Sequence, residues 1–101
     1  MPLFATMVVV CALNKEGTNA VCDIVTQDKY HQISQPICYG KLDRIRFKAA
    51  ADLMKRLDTD ELFPGSHNCF ESVAHRDAVL NRITLAYKKA GITFTIINQD
   101  K

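Results

Sequence analysis

The sequence predicts an α+β domain: two helices packed on one face of a mainly antiparallel sheet of three or four strands, in the order β-β-(β)-α-α-β. Three observations lead there. Two apolar runs near the amino terminus flank a polar, glycine-containing stretch. The centre and the last third carry apolar positions at helical spacing. A helix stop at Gly91 is followed at once by the alternating run Ile92-Thr93-Phe94-Thr95-Ile96-Ile97.

The first strand is expected from about Phe4 to Leu13, the turn in Asn14 to Asn19, and the second strand from about Ala20 to Gln27. Centring the hairpin on Glu16 and Gly17 sets Leu13 opposite Ala20, Cys11 opposite Cys22, Val9 opposite Ile24 and Met7 opposite Thr26, which makes one face almost wholly apolar. Asp28 to Pro36 reads as irregular, and Ile37-Cys38-Tyr39 as a short third strand ended by Gly40. A helix follows from Lys41 or Leu42 to about Leu57, with Leu42, Ile45, Ala49, Leu53 and Leu57 on one stripe. Asp58 to Glu61 offers capping groups for a short turn at Glu61 to Phe63, Pro64 and Gly65 break it, and Ser66 to Glu71 reads as a loop. Ser72 or a neighbour caps a second helix carrying Val79, Leu80, Ile83, Ala86, Tyr87 and Ala90; Lys88 and Lys89 fill its last turn before Gly91. The final strand is expected beside the first, whose continuous apolar character suits a central position.

With 101 residues, 48% of them hydrophobic and 24% charged, residues 1–101 form one folded domain. A net charge of +2 is too small to imply nucleic acid or membrane by itself. The apolar run from Leu3 to Leu13 has no Lys or Arg before it and falls short of the roughly 20 residues of a membrane span. It therefore reads as a strand, and the expected compartment is the cytoplasm. There Cys11, Cys22, Cys38 and Cys69 are expected as free thiols, the first two buried and the last two near loops. No cofactor or metal is expected: the four glycines are isolated and match no phosphate loop.

No motif names a reaction, and each candidate site competes with a plainer reading. Cys69 with His75 or His31 and an acid can be drawn as a hydrolase or transferase triad, but nothing around it resembles a nucleophile signature. Asp58, Asp60, Glu61 and His67 could hold a cation, yet helix capping accounts for the acids. Lys41, Arg44, Lys48 and Lys55 share one helix side, and His75, Arg82 and Lys89 repeat every seven residues on the other helix. Together these would make a nucleic-acid surface, though interspersed acids and missing aromatics favour solvated faces.

The second face of the hairpin weighs most. Val8, Val10, Val21 and Val25, joined by Ile97 if the last strand pairs with the first, leave an apolar patch that helices on the opposite face cannot cover. Its competing explanation is cover by Tyr30, Ile33, Ile37 and Tyr39. The expected function is thus a small cytoplasmic protein-binding regulator or inhibitor, more binder than enzyme, that occupies a partner protein's surface, alone or as a sheet-to-sheet homodimer. A nucleic-acid-associated protein is the alternative and a Cys/His enzyme the second. A final strand at a remote edge would dissolve the patch.

Overall fold

The structure, a computed structural model, describes residues 4–30 and 34–100. Among these the chain forms β1 (Phe4–Leu13), β2 (Ala20–Tyr30), α1 (Gln35–Leu57), β3 (Ser66–Phe70), α2 (Val73–Ala90) and β4 (Thr93–Asn98). The expected α+β class stands, with two helices and a four-stranded sheet. The order is β-β-α-β-α-β, so a strand separates the helices. His31 and Ile33 lie outside the described residues.

The hairpin has the register its side-chain pattern predicts: Met7 opposes Thr26, Val9 opposes Ile24, Cys11 opposes Cys22 and Leu13 opposes Ala20. Asn14 closes the turn, its side-chain carbonyl accepting from the Thr18 and Asn19 amides at 2.9 and 3.2 Å, while Gly17 supplies a φ of 70°.

Three elements differ from expectation. Residues Ile37 to Tyr39 are helical, because α1 begins at Gln35 with Pro36 in its first turn, where a missing N–H costs nothing. Gly40 is inside the helix and ends nothing; the buried stripe simply extends back from Leu42 to Cys38. The third strand is instead Ser66–Phe70, antiparallel to β1, with Phe70 opposite Ala5 and His67 opposite Val8. Its polar residues hide it from a hydrophobic pattern, as suits a strand at a sheet edge. Just before it, Leu62 bridges Ala12, with Leu13 N–H donating to Glu61 O at 3.0 Å and Phe63 N–H to Cys11 O at 2.9 Å, so Glu61 to Phe63 is an edge contact and not an isolated turn. Gly65 lets the chain pass β1, since a Cβ there would sit 2.8 Å from Val9 O.

The sheet order is β3-β1-β2-β4. The final strand therefore does not lie beside β1; β4 is parallel to β2 at the far edge, with Val25 opposite Ile97. Helix positions also differ. One core joins Val8, Val10, Ala12 and Val25 to Cys38, Leu42, Ala50 and Leu53 of α1, and a second joins Met7, Val9 and Ile24 to Val79, Leu80, Ile83 and Tyr87 of α2. Alternate residues of β1 face opposite ways, so the helices cover opposite faces and not one. Topology explains this. The strands β2, β3 and β4 all run parallel to one another. The connection through α1 crosses β1 in one direction, and that through α2 returns across β1 and β2. Two crossovers of the same hand in opposite directions must use opposite faces.

The cysteines are not free thiols: Cys11 is bonded to Cys22 and Cys38 to Cys69. The first pair are directly opposed across the hairpin, with Cα atoms 4.1 Å apart. The second pair are both buried and meet where α1 lies over β3, a meeting that a strand at Cys38 and a loop at Cys69 concealed.

Two outcomes follow. A Cβ at Gly40 would meet open space on a helical backbone, so Gly40→Ala should raise unfolding stability by about 1 kcal/mol in a denaturant titration. The Cys38–Cys69 bond closes the longer loop, 31 residues in sequence separation, and the Cys38→Ala, Cys69→Ala double variant should lose about 2–4 kcal/mol in the same assay.

Candidate functional site: the open edge of β4

The expected docking patch is core. Val8 and Val10 are fully buried under α1, Val25 is buried and Val21 is partly so; of the five proposed residues only Ile97 is exposed, at 40%. The reason is the helix placement just described. Lys41, Arg44, Lys48, Lys55, Arg82 and Lys89 are all exposed, but the first four are on α1 and the last two on α2, on opposite sides of the sheet. They form no single surface. The sulfur of Cys69 is committed to a disulfide and is no nucleophile. His75 packs edge-on to Phe70 and His67 to Tyr39, with ring centroids 5.2 and 6.0 Å apart. Asp58 is the left-handed C-cap of α1, with a φ of 52°. Glu61 lies beside Leu13 and His67 beside Val8, about 17 Å apart along β1 at ~3.4 Å per residue, so the acids and His67 are not brought together. Among the described residues no helix is long and apolar enough to cross a membrane.

What the fold leaves open is the outer side of β4. Its local structure is well determined by sequence. Ser72 Oγ accepts from His75 N–H at 3.0 Å to start α2. At the other end Gly91 adopts a φ of 71°, with Gly91 N–H donating to Lys88 O and Ile92 N–H to Tyr87 O. The strand then enters parallel to β2. Gln99 N–H donates to Thr26 O at 2.8 Å, and Thr26 is the partner of Asn98. In a parallel ladder this turns the N–H and C=O groups of alternate residues to one side. Thr95, Ile97 and Gln99 therefore bond toward β2, and the amide groups of Phe94, Ile96 and Asn98 point outward.

The side chains along this edge are apolar or uncharged. Phe94 packs against Tyr87, their centroids 6.1 Å apart. Ile96 is 47% exposed on the α2 side, and Ile97 is exposed on the α1 side. Natural edges are blunted by lysine, proline, bulges or a covering element; within Thr93–Asn98 there is no charge, proline or bulge, and β2 is its only strand partner among the described residues. Beside Ile97 a hollow of about 130 Å³ is lined by Lys48, Asp52 and Arg56. Its floor is the buried Asp23, whose two carboxylate oxygens accept from Arg56 Nη2 at 2.9 and 2.8 Å.

The carboxy-terminal end of β4 is held by a residue that sequence reasoning missed. Arg76 is buried in the first turn of α2. Its Nη1 donates to the carbonyls of Thr6 and Gln27, both at 3.1 Å, its Nη2 to Asp28 at 2.5 Å and its Nε to Asp77 at 3.0 Å. Burial alone would lower its pKa, but hydrogen bonds and charge from Asp28 and Asp77 outweigh this and raise it, so the guanidinium remains charged. Asp28 N–H in turn donates to the Asp100 carboxylate just beyond β4. The available signal was position: a cation in the first turn opposes the helix dipole and needs a tertiary reason to be there. On the same face, burial pushes the Tyr87 phenol above its usual pKa, and its O–H donates to the disulfide sulfur of Cys11 at 3.9 Å.

No protein-family model matches the chain, and neither the curated proteins nor the solved structures compared with it contain a match.

Replacing Arg76 by methionine removes the charged donor shared by the Thr6 and Gln27 carbonyls where the β1–β2 register shifts, between Phe4 and Thr6, and leaves Gln27 O the Thr6 hydroxyl at 3.3 Å. Arg76→Met should lose about 2–4 kcal/mol by chemical denaturation, whereas Asp77→Ala, at a half-exposed ion pair, should lose less than about 1 kcal/mol. Equal losses would show that the carbonyl contacts do not matter.

Proposed function

We propose that this chain is a protein-binding regulator or inhibitor that occupies a partner protein's surface, and that its docking element is the outer edge of β4. The observation that carries this reading is the combination of outward amides at Phe94, Ile96 and Asn98 with exposed Ile96 and Ile97 on the two faces of one uncharged edge. Addition of an extended segment supplies main-chain partners for those amides and side-chain contacts on both faces. The two disulfides favour an oxidising compartment for this binding over the cytoplasm.

Selection of a displayed random-peptide library on the oxidised protein tests the reading. Extended peptides with alternating apolar residues should be enriched on the wild type and lost on Ile96→Lys, a change at a half-exposed position that adds an edge charge without touching the β2 ladder. Enrichment of the same peptides on both proteins would overturn it.

A further inference from the structure

We infer that the occupant of this edge is a second copy of the chain, with β4 paired antiparallel to β4 of the partner so that two four-stranded sheets become one. This rests on the edge-docking reading and names its partner. The first argument is self-complementarity. A twofold axis normal to the sheet keeps each face continuous, so residues of like parity must oppose one another. Centring the axis on Thr95 sets Phe94 opposite Ile96 of the partner copy twice over, an aromatic and β-branched pair on the α2 face. These are also residues whose amide groups point outward, so each pair exchanges two hydrogen bonds. Main-chain pairing is met in every register of like parity, and the Phe94–Ile96 side-chain pair selects this one among them. On the other face, Thr93 falls opposite Ile97.

Charge gives the second argument and fixes the direction. The start of β4 adjoins the basic end of α2, where Lys88 and Lys89 are exposed. Its far end adjoins Asp28, Asp77 and Asp100, which among the described residues outnumber Arg76 and Lys29 there. Antiparallel pairing brings the basic end of α2 at the start of each strand toward the acidic end of the other. A parallel pair would set like against like. An unrelated extended peptide satisfies the main chain equally well but has no reason to carry this charge order.

The test is sedimentation velocity on the full oxidised chain over a concentration series, with amide hydrogen exchange on the same samples. The wild type should dimerise below about 1 mM, and Ile96→Lys should weaken the dimer at least about tenfold while keeping the exchange protection of Thr95 and Ile97. Protection at Phe94, Ile96 and Asn98 should rise with concentration in the wild type alone. Lys89→Glu and Asp100→Lys should each weaken self-association, and an equimolar mixture of the two should restore it, because only the mixed dimer pairs opposite charges at both ends. A wild type monomeric at about 1 mM would overturn the second copy as occupant, while peptides captured through Ile96 would leave the docking reading standing. A dimer unaffected by Ile96→Lys would overturn the edge as the dimer contact, and peptide capture equally indifferent to that substitution would overturn both.

Discussion

Burial of β1 on both faces is the constraint from which the rest of the fold follows. Every residue from Phe4 to Val10 is buried, and the odd and even positions belong to two different cores. A hairpin alone covers neither face, and two helices on one side would leave Val8 and Val10 in water. The chain answers with two crossovers in opposite directions, which put α1 over one face and α2 over the other. The disulfides reinforce this arrangement at two levels. Cys11–Cys22 ties the hairpin to itself, and Cys38–Cys69 ties the first turns of α1 to the strand that the first crossover delivers.

Once both faces are covered, the sheet has only its edges left to offer, and the two edges differ. The residues of β3 include Ser66, His67 and Asn68, and the chain before it is interrupted by Pro64 and Gly65. Such an edge is a poor template for another strand. The β4 edge is regular, β-branched and without charge, and its end is held in place through Asp100, Asp28 and the buried Arg76. Ordering that strand in advance lowers the entropy lost when another strand joins it. The functional reading therefore moved within the molecule: the flat face is core, and the accessible apolar surface lies along one side of one strand.

Much of the local structure was legible in the sequence. The hairpin register, the Ser72 cap, the Gly91 stop and the β4 alternation all depend on neighbouring residues and were found as expected. The failures share a cause. Ser66–Phe70 has polar residues where a strand pattern needs apolar ones, and Gly40 looks like punctuation unless Pro36 is recognised as a helix start. Exchanging a strand for a loop, and a helical turn for a strand, removed the parallel crossovers and put both helices on one side. Cys38 and Cys69 were then left without a meeting place, and Arg76 without its carbonyls.

By itself the sequence determined the hairpin strands and their alignment, the body of α1 from Leu42 onward, α2 with its stop at Gly91 and the extended run after it, because spacing, capping and turn chemistry act over a few residues. Only the tertiary structure decided that β4 stands beside β2 at an edge. It also decided that Val8 and Val10 are covered while Ile96 and Ile97 meet solvent. Strand alternation separates two faces, but when both are apolar it cannot say which helix covers which. That choice belongs to the path the chain takes across the sheet.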